Sequence, residues 1–389
     1  MTGSPHAKSE NHFKWVIIGA GPSGCHLAIS LLHNDLAKPH EIVLVDPNPP
    51  MNCWRKRARN CGMRYLRSTC VHHIGVSTSG LVRFQKRSCV QEKAWKGKFR
   101  SPSLNLFDAH CEELLQKYQI RACWRTGKVQ RVVPQKQGFK LQTTGGSFTG
   151  ESVVLALGPS LEPTLPDWLD AARSSSQFLL DHNFDPDEIP ANSRLAVIGG
   201  GMTAAQAALK LSARHRVKLL TRTQIKYSEF DSPSAWMAPV GPQFLRKNPA
   251  DRLQVIEKVR RPGTVNTEVR SRLREAINKG LIDHRVLVAP RCRIRGGRLL
   301  LSDGRWNTTV DSVLLGMGFQ AILHPLKQTI ANEFQAPLVS RCYPLLDTHL
   351  QWLPNLYVVG CGAETQIGPM ATNLLGARVA ASRILSRFN

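Results

Sequence analysis

Short apolar runs alternate along this chain with longer stretches whose apolar positions recur at helical spacing. Residues 15–18 read WVII, four apolar positions without a polar break, which predicts a strand buried on both faces. A glycine-rich turn follows. CHLAISLL at 25–32 then predicts a helix lying back on that strand, and EIVLVD at 41–46 predicts the next strand. The same order returns at residues 194–221, as RLAVI, a second glycine-rich turn, an alanine-rich helical stretch and VKLLT. ESVVLALGPS (151–160), DSVLLGMGFQ (311–320) and NLYVVG (355–360) predict further buried strands, each running into a glycine. SPSLNLFDAHCEELLQKYQI (101–120) predicts a helix, KVQRVVP and GFKLQTT predict strands, and RSRLREAINKG predicts a helix stopped by Gly280. Strands alternating with helices in this way define an α/β chain with parallel sheets.

The two turns carry the first chemical signal. Gly19, Gly21 and Gly24 stand in G-x-G-x-x-G spacing between strand and helix. Gly19 permits the tight turn, Gly21 lets backbone approach a diphosphate, and Gly24 lets the helix pack close to the strand. Pro22 suits the first helical turn, where its missing N–H costs nothing, and Ser23 stands among the free N–H groups that bind phosphate. Asp46 ends the second strand 27 residues after Gly19, where a carboxylate accepts ribose hydroxyls. In the second turn Gly199, Gly201 and Ala204 hold the three glycine positions, with Met202 and Thr203 between them. Its following strand ends at Thr221 and Arg222. A guanidinium there pairs with a 2′-phosphate that a carboxylate would repel, so Arg222, with Lys226 nearby, selects NADPH over NADH. Two such units imply two dinucleotides held at once, a flavin and a diffusible hydride donor.

Composition changes this picture little. The 389 residues are 42% hydrophobic and 21% charged, a globular balance with room for two cores. The opening MTGSPHAKSENHF is polar and lacks the apolar centre of a signal peptide, so residues 1–13 are expected to be a disordered tail. No apolar run is long enough to span a membrane, and a soluble cytoplasmic protein is the expectation. Among ten cysteines none are spaced as C-x-x-C, which excludes a zinc ribbon and a two-cysteine redox motif; no metal site is expected. Lys and Arg number 52 against 28 acids, a net charge of +24. Charge alone does not specify a site, so a nucleic-acid partner is not expected; the basic surface equally suits anionic cofactors.

With both turns in place, the chain resembles the two-dinucleotide-binding flavoproteins, a group that includes flavin monooxygenases and thioredoxin-reductase-like enzymes. The resemblance implies two Rossmann-like domains, with an NADPH-binding domain inserted into a discontinuous FAD-binding domain. It places the FAD domain at 14–165 and 312–389, a linker at 166–189 and the NADPH domain at 190–311. Gly158 and Gly318 mark the turns where the chain leaves and re-enters the FAD domain. Gly360 ends the last flavin-side strand. Many relatives carry aspartate directly after that glycine, where this chain has Cys361; either Glu364 or backbone is expected to supply the ribityl contact in its place. A long helix is then expected to begin at Gly368 and Pro369, its positive end beneath the flavin ring.

The segments MNCWRKRARNCGMRYLRSTCVHHIG (51–75) and SEFDSPSAWMAPVGPQFL (228–245) resemble the lysine and ornithine N-hydroxylases. Candidates for the flavin-side pocket lie between Trp54 and Ile74: Trp54 to cover a flavin face, Arg64 and Arg67 to steer the nicotinamide cofactor or an anionic substrate, and His72 and His73 to hydrogen-bond the flavin or its oxygen adduct. Ordinary packing is the competing reading for Trp54 and for both histidines. The activity implied is a monooxygenase: NADPH reduces FAD, molecular oxygen forms a flavin hydroperoxide, and a small amine-like nucleophile is oxygenated. Two other readings stay open. One is an NADPH-dependent flavin reductase of a quinone, disulfide or protein partner; the other is a flavin-binding regulatory protein without turnover. Assembly into a homo-oligomer also stays open.

Overall fold

Two parallel sheets organise the chain, each grown from one of the strand–turn–helix units. The computed structural model describes residues 11–388 apart from 91–92, 159–160, 164, 171–178, 181–183, 237–238, 262, 289, 322 and 341. In the first sheet the strand His12–Ile18 lies between Ile42–Asp46 and Gly146–Leu155, parallel to both, with Ile17 level with Leu44 and Val154. Leu356–Val358 and Trp124–Thr126 extend it on either side, also parallel. The hairpin of Val129–Pro134 and Phe139–Thr143 runs antiparallel into the outer half of Gly146–Leu155. Helices Pro22–His33 and Leu374–Leu385 pack against one another. Trp15, Ile17, Leu44 and Tyr357 are fully buried, as the unbroken apolar runs require of strands covered on both faces.

The second sheet is parallel throughout, in the order Leu179–Leu180, Ser312–Leu315, Arg194–Ile198, Arg216–Thr221, Ile282–Val286. Helices Met202–Leu211 and Thr267–Asn278 pack together beside it. A small antiparallel sheet of Arg291–Arg295, Arg298–Ser302 and Asn307–Val310 contributes Leu299, Leu301 and Val310 to its core. The chain passes between the two units along an antiparallel ribbon, Leu161–Pro163 against Phe319–Ala321.

This layout corrects the expected boundaries. Ser312–Leu315 is an inner strand of the second sheet, so the FAD-side unit resumes after it and not at residue 312. The stretch 166–189 is not a free linker. Leu169 is buried with Ala196 and Ile198, Phe184 and Ile189 lie in the second unit's core, and Leu179–Leu180 completes its sheet. The apolar residues embedded in that Pro- and Asp-rich stretch outweigh its polar appearance. Of the expected tail, residues 1–10 lie outside the described residues, and His12 and Phe13 already belong to the first strand. Among the described residues no helix is long and apolar enough to cross a membrane.

Candidate dinucleotide-binding site

The first turn (residues 19–24) is built by backbone contact. Gly19 has φ +113°, and a Cβ placed on it would fall 2.3 Å from the carbonyl oxygen of Ala156. A Cβ on Gly24 would fall 2.0 Å from the oxygen of Gly19, so helix and strand meet with no room for a side chain. Gly21 differs: nothing lies within 4 Å of its Cβ position, and it is the N-cap of Pro22–His33 without a side-chain cap. The backbone N–H groups of Ser23 and Gly24, in the first turn of the helix, therefore have no intrahelical acceptor, the donor set a diphosphate needs. Asp46 stands at the end of its strand, with Ala20 N donating to Oδ2 (2.9 Å) and Asn48 N donating to Oδ1 (2.7 Å). Asn48 Nδ2 also reaches Oδ1 (3.5 Å), and Oδ2 keeps a lone pair for a ribose hydroxyl. Gly158 (φ +67°) and Gly360 (φ +73°) close the same site: the thiol of Cys361 donates to Gly158 O, and the Cβ position of Gly360 lies 3.9 Å from Ser23 Oγ.

The second turn (residues 199–204) repeats this construction. A Cβ on Gly199 would fall 2.2 Å from Gly316 O, and one on Gly316 would fall 2.6 Å from the Cβ of Ala204. Gly316 therefore makes the room that lets alanine hold the third position, a pairing visible only once the strands are assembled. Gly201 is the N-cap of Met202–Leu211, again without a side-chain cap. The turn opens into a cleft of about 1110 Å³ that includes Gly199, Gly201, Met202, Thr203 and, across it, Gly318. Arg222 and Lys226 line the cleft as well, both exposed, and no carboxylate follows the strand there. Both turns thus fit dinucleotides: the first offers an acid to a ribose, the second a cation pair to a phosphate.

Other expected site residues are placed differently. Trp54 is partly buried against the first core, its ring 5.0 Å from that of Phe107. Arg67 spends its guanidinium on the second unit. Nε donates to Glu229 O (2.9 Å), and Nη2 donates to Ser228 O (2.7 Å) and Thr264 Oγ1 (2.9 Å). With Nη1 also donating to Thr264 O (3.4 Å), four of its five N–H donors are committed to the second unit, and it is an interdomain tie. His73 accepts from Gly75 N at Nδ1 (3.1 Å) and reaches Thr78 O through Nε2 (3.4 Å), its ring 4.8 Å from that of His110. With both nitrogens engaged it is a packing residue, not a catalytic one. His72 is buried, with no hydrogen bond to its side chain among the described residues.

Glu364 does not reach toward a ribityl chain. Only 2% exposed, it pairs with Arg260, which arrives from the second unit, and accepts from Tyr343 Oη at 3.3 Å. Nor does the long helix begin at Gly368 and Pro369. Gly368 (φ +86°) ends the short helix Glu364–Ile367, Pro369 opens a single tight turn, and the long helix Leu374–Leu385 starts only after Asn373. Asn373 Oδ1 accepts from Leu375 N (2.9 Å) and Gly376 N (3.1 Å). The side-chain cap outweighs the Gly-Pro signal as a helix start. Sequence reasoning missed Arg252, Arg260 and Tyr343, long side chains whose partners come from distant segments.

Four buried imidazoles, His26, His72, His73 and His110, surround the loop after the first core. Burial pushes them down to about 4, 4, 3 and 4, against an ordinary value of 6.5. Each is neutral in the fold and becomes protonated first in the unfolded chain. Their contribution is complete above pH 6.5 and is lost as pH falls toward 4, at up to about 1.4 kcal/mol per histidine per pH unit. Thermal melting followed from pH 7.5 to 4.5 is expected to fall steeply below 6.5; a flat profile would show that these side chains are hydrated. No group of three or more metal-ligating side chains is found among the described residues.

The comparisons agree with this geometry. Residues 16–289 match the family model described as pyridine nucleotide-disulphide oxidoreductase. The chain belongs to that family. The family match runs through both turns. Its fold is similar to that of an ornithine hydroxylase from Pseudomonas aeruginosa, at a TM-score of 0.77 and 18% identity over 97% of this chain and 98% of that one. It is also similar to a bacillithiol disulfide reductase from Bacillus cereus, at a TM-score of 0.60 and 16% identity over 97% and 98%. A curated protein from Geobacillus kaustophilus, described as an uncharacterized CzcO-like oxidoreductase, is 27% identical over 119 residues. That match covers 30% of this chain and only about a third of the relative's own length (34%).

Proposed function

We propose that this flavoprotein holds FAD at the first turn and NADPH at the second, and that it is a monooxygenase acting on a small, nucleophilic, amine-like substrate. The observation that carries the cofactor assignment is the contrast between strand ends: Asp46 beside the first turn, Arg222 and Lys226 lining the cleft of the second. Bound FAD, once reduced by NADPH, supplies the chemistry with molecular oxygen. The chain's own part is to bind and hold. The free N–H groups at Ser23 and Gly24 take the diphosphate, and Asp46 takes a ribose. Arg67, Arg252 and Arg260 fix the second unit against the first, so that the two dinucleotides keep one geometry.

Two observations favour oxygenation over disulfide reduction. The overlay over the whole chain is better with the ornithine hydroxylase than with the disulfide reductase. Cys25, the thiol next to the first turn, is fully buried, donates to Ala20 O at 3.2 Å and is pushed up to about 12, so it is no nucleophile at neutral pH. The test is turnover of FAD-loaded protein with NADPH, oxygen and a panel of primary amines. Hydroxylated amine formed in step with NADPH consumed is expected. Rapid reduction of a quinone or disulfide, with no oxygenated product from any amine, would assign the protein to the reductases instead.

A further inference from the structure

The segment that closes the first site hides a cation that none of the contacts above employ. Lys327, in the helix Pro325–Glu333, is 4% exposed. Its tip lies under the turn that follows Gly360: a Cβ built on Gly362 would fall 2.7 Å from Nζ and 3.5 Å from Cε. The ammonium thus occupies the space that any side chain at position 362 would take. No hydrogen bond is found to it among the described residues; the groups that face it are the Glu364 carboxylate and the thiols of Cys342 and Cys361. The carboxylate of the cluster, Glu364, already has Oε1 on Arg260 and Oε2 on Tyr343. Arg260 and Lys327 thus share one carboxylate, which leaves a surplus positive charge in a buried cluster, costly unless another anion completes it.

The fold says where that anion arrives. Gly360 sits against Ser23 at the start of the diphosphate turn, and the thiol of Cys361 is turned onto Gly158 O. The ammonium therefore lies against Gly362, two residues along the chain from the glycine that meets Ser23. We infer that Lys327 is the buried counter-charge of bound FAD, a cation serving the cofactor from below the 360–364 turn, in a chain that has no carboxylate at position 361. Gly362 is the accompanying concession, since a side chain there would displace the ammonium. The inference rests on the FAD reading above.

The experiment uses the full chain stripped of flavin and compares wild type with Lys327→Met and Lys327→Arg. FAD affinity is read by quenching of flavin fluorescence, and the stability of the flavin-free protein by circular dichroism melting. Lys327→Met is expected to bind FAD at least about 10-fold more weakly. Its flavin-free form should melt no lower than wild type, because an uncompensated buried charge has been removed. Lys327→Arg keeps the charge and should stay within about threefold of wild type in FAD affinity. Equal FAD affinity in wild type and Lys327→Met would overturn the assignment. So would a flavin-free Lys327→Met that melts well below wild type and loses FAD only in proportion, which marks a structural lysine. Thiol titration that finds Cys361 or Cys342 as a thiolate at neutral pH in the flavin-free wild type would also overturn it, since the cation would then already be paired. Wild-type protein that takes up no FAD sinks the flavin reading itself, whereas normal uptake with an inert Lys327 sinks only this inference.

Discussion

Replacing Gly21 by valine is expected to yield a folded protein that purifies without flavin. Nothing lies within 4 Å of the Gly21 Cβ position, so the new side chain meets no protein atom. What it does enter is the space in front of the unpaired N–H groups, where a diphosphate must approach backbone directly. The flavin-to-protein ratio should fall from near stoichiometric to a few per cent, while flavin-free melting stays within a few degrees of wild type. The contrasting variant is Gly24→Ala. Its Cβ falls 2.0 Å from Gly19 O, so that protein should lose stability as well as flavin. Stoichiometric flavin in Gly21→Val would mean that the first turn does not grip the cofactor.

Removing the guanidinium of Arg222 is expected to separate the two nicotinamide cofactors. Arg222 lines the second cleft and is exposed, so its loss should leave the fold unchanged. A charge-assisted contact to a phosphate is worth on the order of 2 kcal/mol, so Arg222→Ala should weaken NADPH roughly 30-fold. NADH has no 2′-phosphate and should change by less than about threefold. Lys226 lines the same cleft, and the Arg222→Ala, Lys226→Ala double variant should take NADPH down to the level of NADH. Initial rates of flavin reduction against cofactor concentration give both numbers. Parallel losses for NADPH and NADH would remove the 2′-phosphate from the assignment.

What the sequence made legible was whatever depends on local backbone. The two glycine-rich turns, their flanking strands and the acid or base ending each unit are short-range features, and a single segment holds all their parts. What it concealed depends on long side chains meeting distant segments. Arg67 lies in a basic stretch suited to an anionic ligand, yet four of its five donors go to Ser228, Glu229 and Thr264, some 160 to 200 residues away. Glu364 occupies a plausible place for a cofactor contact, and only the fold brings Arg260 and Tyr343 to it. His73 looks chemically equipped, but it is buried against His110 with both ring nitrogens engaged. The helix start failed for a local reason: Gly368 and Pro369 carry a familiar N-terminal signal, while the cap that acts is Asn373, four residues beyond Pro369. The strand Ser312–Leu315 lies in the second sheet and not the first, because an apolar run records burial and not which sheet does the burying.

The most direct measurement is anaerobic mixing of the FAD-loaded protein with NADPH, followed by loss of the oxidised-flavin absorbance. Prompt, complete bleaching with NADPH, and much slower bleaching with the same concentration of NADH, is the predicted result. A protein that accepts FAD but keeps its yellow colour in the presence of NADPH would contradict the pairing of the two turns as one redox site.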